Sequence, residues 1–410
     1  MKAAVIFGAG NVGRGFIGQL FAESGYEVTF VDIDEPLIAA LRSRGSYTIR
    51  LVDNEHVETV QVAPVTGLLS REQEAIAEAL ARATIGATAV GARALPHIAP
   101  LAARGIAQRA ARGVDAPLNL IICENLKGAA STFRGMLEEQ LRRMATAAEG
   151  LPVRVEEALR YLATHVGLVD TVIGRMVPEL PPDLRAQDPS LIIVEPYKEL
   201  PVDRVGFVGE IPAIVGMQPC DHFALYTARK LYLHNAGHAV LGYLGYLRGY
   251  TLGYEALEDA EIRLLLEAAL DESLRGIVSV YGAEENWLRA HVADLLGRFA
   301  NRALADPILR LARDPIRKLA PSDRLVGAAR TAERAGILPR NLAWGIAAAL
   351  AFDAPSDPIA VELQERIARQ GVRGVLQSIC QIAPEEPLGQ MILQHYDALR
   401  QARAAMGGAQ

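Results

Sequence analysis

The sequence predicts an α/β protein: a doubly wound parallel sheet followed by an all-helical region. Three observations carry this. Short apolar runs alternate with helical patterns through the first half of the chain. A glycine-rich turn directly follows the first of those runs. From about Pro219 onward, long 3.6-residue periods with few β-branched runs take over.

The stretch "KAAVIFGAGNVGRGFIGQLFAESGYEVTFVDID" reads as strand Ala3–Phe7, a turn, a helix and a second strand. Gly8, Gly10 and Gly13 form G-x-G-x-x-G, with Ala9, Asn11 and Val12 between them. The first glycine permits a tight turn and the second lets backbone approach a pyrophosphate. The third lets helix and strand pack closely. The helix N-terminus then offers free N–H groups to phosphate. Asp32 ends the second strand, close to the ~20-residue spacing of a ribose-binding carboxylate. That acid opposes a 2′-phosphate, so the cofactor expected on Gly8–Gly13 and Asp32 is NAD rather than NADP. The fold is thus a Rossmann-type sheet.

"SYTIRLVDNEHVETVQV" predicts a hairpin turning at Asp53-Asn54. Ser70 and Gln73 suggest a capping box for a helix over 71–83. Ala87–Gly91 and Leu118–Asn125 read as further strands, and Leu191–Pro196 as a later one. Ligands of such sheets bind beyond the carboxyl ends of the strands. Gly91 is therefore expected at the cofactor; Asn125 is either near it or a turn asparagine. The proline-rich "PELPPDLRAQDPS" precedes the last strand, so 1–196 is assigned to the dinucleotide domain and 197–410 to a helical one. Helices are expected near 222–247, 255–280, 285–303, 324–335, 341–352, 359–370 and 387–406. A cleft between two such domains is the default place for a site.

Composition removes several functions. A net charge of -6 gives no general attraction to nucleic acid or acidic membranes. Cys123, Cys220 and Cys380 lack any C-x-x-C spacing, which argues against a zinc site or disulfide framework and suits a reducing cytosol. The apolar run Leu342–Phe352 is well short of the ~20 residues that span a bilayer. "MKAAVIFGAG" lacks the long apolar region and cleavage site of a signal peptide. A cytoplasmic protein is expected.

"KLYLHNAGHA" then stands out. Lys2, Lys127, Lys198, Lys230 and Lys318 are the only lysines among 42 basic residues. Arginine cannot be deprotonated in a protein, whereas lysine can be tuned to act as a base. On an α-helix at ~100° per residue, Lys230, Asn235 and His238 fall at roughly 0°, 140° and 80°, on one side. Each alone has an ordinary reading as a helix residue. Together, beside a dinucleotide fold, they supply a base and an amide donor for alcohol oxidation.

This K-x4-N-x2-H arrangement resembles the polyol-specific long-chain dehydrogenases, the mannitol dehydrogenase family. The likeness covers most of the chain, through "FGAGNVGRGFIG", "AVGARALPHIAP", "CENLKG", "VDTVIGRMVP", "VEPYKE" and "DPIRKLAPSDRLVGAA". The resemblance implies Lys230 as general base, Asn125 and Asn235 as an oxygen-stabilising pair, His238 as substrate orienter, and no metal. Two departures from the family pattern bear on the substrate more than on the chemistry. The family's V-D-R is "IGR" at Ile173–Arg175, so an acid is missing at Gly174, and "EPYKELPVD" lacks the family's tryptophan. Chain length points to the family's sugar-phosphate branch, with a polyol phosphate as substrate. Arg313, Lys318 and Arg324 could hold the phosphate, or form a solvated basic face. A dehydrogenase of a free polyol or sugar acid is the enzyme alternative. An NAD-binding sensor without turnover is another, though a sensor has no need of a base.

Overall fold

The computed structural model describes residues 2–146 and 150–407. Its first compact unit ends at Phe223 and the second begins at Ala224. The strands are β1 (Lys2–Phe7), β2 (Tyr26–Asp32), β3 (Tyr47–Val52), β4 (Val57–Val62), β5 (Val65–Leu69) and β6 (Ile85–Thr88). They continue as β7 (Leu118–Ile122), β8 (Val166–Asp170), β9 (Ile192–Val194), β10 (Leu200–Asp203) and β11 (Met217–Cys220).

Six of these form a parallel sheet in the order β5-β2-β1-β6-β7-β8. The chain runs outward from β1 in one direction, then returns to its other side at β6. That reversal is the switch point at which doubly wound sheets bind dinucleotides. Strands covered on both faces need continuous apolar runs. Ala4, Val5, Ile6 and Phe7 in β1, and every residue of β7, are accordingly buried.

The predicted hairpin forms, with Val52 opposite Val57. The strand expected at Leu191–Pro196 is β9, and it joins this hairpin rather than the main sheet, pairing Ile49 with Ile192. The strand expected at Ala87–Gly91 lies earlier, because the pairing with β1 runs from Ile85 to Thr88. The capping box does not form. The helix is Gln73–Arg82, the Ser70 N–H donates to the Asp32 carbonyl, and the Glu72 carboxylate takes the N–H of Leu69.

The first unit extends beyond the boundary expected near Tyr197. β10 and β11 pair with each other, and Thr171 Oγ1 donates to the Pro201 carbonyl at 2.6 Å. Val208 N–H donates to Asn119 Oδ1 on β7 at 2.9 Å, which ties the segment between β10 and β11 to the main sheet.

The second unit is helical. It contains Ala236–Leu247, Ala260–Tyr281, Glu285–Phe299, Val326–Arg334, Arg340–Leu350, Pro358–Ser378 and Pro387–Gly407. The helix expected over 255–280 is interrupted at Asp259, whose carboxylate caps the second piece through the N–H groups of Glu261 and Ile262. Helix Ala236–Leu247 is almost wholly buried, including Val240, Leu241 and Tyr243. Among the described residues no helix is long and apolar enough to cross a membrane.

Candidate active site

The glycine turn follows β1 directly. Gly8 has φ +97°, and a Cβ there would strike the Ala89 carbonyl; one on Gly13 would strike the Gly8 carbonyl. The turn itself therefore demands these two glycines. Gly10 differs, since nothing of the protein lies within 4 Å of where its Cβ would be. Its missing side chain keeps the space outside the turn clear, which is the cradle a pyrophosphate needs. Ala9 is buried, and Asn11 and Val12 are half-buried beside it. Gly91, at φ +86°, is likewise open on its outer side. The residues present fit a dinucleotide.

Asp32 is fixed onto this turn. Its Oδ2 accepts the Ala9 N–H at 2.6 Å, and its Oδ1 accepts those of Ile33 at 2.7 Å and Asp34 at 3.1 Å. The helix after the turn opens as a π-helical turn, Gly13–Gly18. Such a turn leaves a carbonyl without its α-helical donor. Arg175 Nη1 donates to the Gly15 carbonyl at 3.0 Å, and the Tyr47 hydroxyl to the Arg14 carbonyl at 2.7 Å.

Glu124 was not singled out in the sequence, yet it is central here. It is 6% exposed, and its Oε1 accepts the Val90 N–H at 3.0 Å. Burial pushes its carboxyl above the usual range, against the backbone N–H groups of Val90 and Gly91, which favour the charged form. The available signal was one acid closing the apolar run "LNLIIC". The neighbouring Asn125 is exposed just past β7. At Gly174, where the family's acid is missing, a Cβ would lie 2.8 Å from Tyr197 Cε1. The tyrosine ring occupies the room an acid would need.

In the second unit, Lys230–Asn235 is also a π-turn, so the α-helical phases expected for Lys230 and Asn235 do not apply. The Ala236 N–H reaches back to the Leu231 carbonyl, which widens the turn. Lys230, Asn235 and His238 are all half-buried. His238 stacks on Phe299 with ring centroids 4.0 Å apart and meets His234 edge-on at 4.8 Å. Desolvation, then the Lys230 charge, holds both imidazoles well below their ordinary value. Arg310, Arg298 and Lys318 add to the effect on His238. His291 is pushed down to about 3 by burial, then by Arg229, Arg298 and Lys230. All three imidazoles are thus held toward their neutral form by burial and by the positive charge near them. His291, Arg298 and Arg310 were missed in the sequence, the arginines because arginine is this chain's default cation.

The basic segment is less open than a solvated face. Lys318 is buried, donates to the Leu311 carbonyl, and sits 5.4 Å from the centre of the Tyr243 ring. Burial lowers its pKa well below the ordinary value, and Arg324, Arg317 and Arg313 push the same way. Arg324 is buried and its Nε donates to Asp323 at 2.8 Å, whereas Arg313 is exposed.

A dinucleotide turn with a ribose-side acid, and a helical unit bearing lysine among neutral histidines, define a nicotinamide-linked dehydrogenase. The chain belongs to the mannitol dehydrogenase family. Residues 2–216 match the Mannitol dehydrogenase Rossmann domain and 222–400 the Mannitol dehydrogenase C-terminal domain. It is 38% identical over 395 residues to a mannitol-1-phosphate 5-dehydrogenase of Bacillus velezensis, covering 95% of this chain and 98% of that one. The Bacillus subtilis protein of the same name is 38% identical over 391 residues, covering 95% and 98%. Among solved structures, Pseudomonas fluorescens mannitol 2-dehydrogenase in complex with NAD and D-mannitol superimposes with a TM-score of 0.74 at 19% identity, covering 97% and 92%. A D-sorbitol dehydrogenase gives 0.79 at 16% identity, covering 97% and 93%. These two show the shared fold.

Proposed function

We propose that the chain oxidises mannitol 1-phosphate to fructose 6-phosphate with NAD, reversibly. The observation that carries this reading is the near full-length likeness to relatives named mannitol-1-phosphate 5-dehydrogenase. The clear space at Gly10 and the anchored Asp32 carboxylate support NAD as cofactor. Bound NAD would supply the hydride acceptor.

The chain's own residues do the rest. Lys230, in its neutral form, takes the hydroxyl proton as the hydride leaves carbon, so one proton and two electrons with the second hydrogen are accounted for. Asn125 and Asn235 donate amide N–H groups to the oxygen as it becomes a carbonyl. His238, held neutral, orients the substrate by a hydrogen bond. Arg313, Lys318 and Arg324 are assigned to the phosphate, with Arg310 adding positive potential. With lysine as base, no metal is required. Cys123, Cys220 and Cys380 are buried and form no disulfide, which suits a cytosolic setting.

The test is an NAD-linked assay across mannitol 1-phosphate, free mannitol and a hexuronate, with fructose 6-phosphate in reverse. Preference for the phosphorylated pair is expected. Equal efficiency with free mannitol refutes the phosphate assignment.

A further inference from the structure

The turn carrying Lys230 and Asn235 depends on one displaced hydrogen bond. In an α-helix the Ala236 N–H would bond the Tyr232 carbonyl, four residues back. Here it bonds the carbonyls of Leu231 and Leu233 and passes Tyr232 over. A buried carbonyl left without a donor is costly. The Tyr232 carbonyl instead accepts the Ser273 hydroxyl at 2.6 Å. Ser273 belongs to the neighbouring helix Ala260–Tyr281 and is 0% exposed. A serine within a helix commonly returns its hydroxyl to a carbonyl of its own preceding turn; this one crosses to another helix. The same arrangement occurs in the first unit, where the Gln19 N–H passes over Gly15 and Arg175 supplies the donor.

We propose that Ser273 is a positioning residue for the oxidation step: its bond to Tyr232 maintains the π-turn and hence the spacing of Lys230 and Asn235. This rests on the reading of Lys230 as the base. Without the hydroxyl, the Tyr232 carbonyl regains a donor only if the Ala236 N–H returns to it. The turn then relaxes towards α geometry and Lys230 rotates relative to Asn235.

The full-length Ser273→Ala and Lys230→Ala enzymes are compared with wild type, using NAD and mannitol 1-phosphate. For Ser273→Ala, kcat for oxidation is expected to fall by ~10- to 100-fold, the scale of a misplaced catalytic group. The KM for NAD is expected to stay unchanged, and the pH profile of kcat to shift because the lysine's surroundings change. A merely structural serine would lower Tm and leave kcat and the profile where they were. A folded Ser273→Ala enzyme with wild-type kcat and pH profile overturns the inference. Should Ser273→Ala not fold, Ser273→Cys, with its much weaker donor, is judged by the same two readouts. Full turnover in Lys230→Ala removes the base assignment itself. An inactive Lys230→Ala beside an unaltered Ser273→Ala removes only the role of Ser273.

Discussion

The Asp32 carboxylate and the Ala9 backbone N–H are joined by a 2.6 Å hydrogen bond, which ties the acid ending β2 to the glycine turn after β1. A carboxylate offers about four acceptor positions, and Ala9, Ile33 and Asp34 engage this one. What remains suits a hydroxyl donor and repels a phosphate.

Replacing Asp32 should therefore loosen cofactor choice and the turn together. Asp32→Ser is expected to lower kcat/KM with NAD by about tenfold or more, the scale of a lost charge-assisted hydrogen bond. The preference for NAD over NADP should shrink at the same time. Steady-state rates with both cofactors check this; an unchanged ratio refutes Asp32 as the discriminating group.

Glu124 gives a second prediction for the same unit. Its buried carboxylate anchors the turn at Val90 and Gly91. Glu124→Ala leaves the half-buried Val90 N–H without its acceptor, a loss of roughly 1 kcal/mol. NADH affinity should weaken by about tenfold, read by fluorescence titration. Wild-type affinity in a folded variant would show that the loop holds its shape without the acid.

The sheet was legible because strands buried on both faces must be mostly apolar, as β1 from Ala3 to Phe7 and β7 apart from Asn119 are. The place of β9 was not, since three apolar residues look alike whichever sheet they join. The candidate residues Lys230, Asn235 and His238 were readable as an unusual set in one segment. Their geometry was not, because the π-turn is completed by Ser273, far along the chain. Local periodicity sees only residues near in sequence. Arg298 and Arg310 escaped notice for another reason: among 42 basic residues dominated by arginine, residue type alone marks nothing.

The histidine cluster sets an acid limit on stability. His234, His238 and His291 all have folded-state values below the ordinary 6.5, His291 at about 3. Between those values the unfolded chain binds protons that the folded one refuses. Stability is thus fully present above pH 6.5 and is lost as pH falls toward the folded values. Each such histidine contributes up to ~1.4 kcal/mol per pH unit within its window. Denaturant unfolding from pH 7 to pH 4 should show this decline, and His291→Gln should flatten it. An identical slope in the variant sinks the account.

The depressed histidines also bear on which group accepts the substrate proton. An acceptor whose pKa lies far below the working pH is a weak base, so His234 and His238 are poor candidates. The proposed acceptor is Lys230, whose charge acts on both of them. Oxidation needs it neutral and should rise with pH through its titration in the complex; reduction needs it protonated and should fall over the same range. Lys230→Ala should lower kcat by ~10²-fold or more, the worth of a lost general base, while NADH binding to the glycine turn persists. Lys230→Arg should fail almost as badly, because a guanidinium keeps the charge and cannot release its proton. Small amines should partly restore the alanine variant by entering the vacated space. pH–rate profiles in both directions, measured on wild type and both variants, decide the matter. Near wild-type oxidation by Lys230→Arg would reduce Lys230 to a source of positive charge beside the two imidazoles.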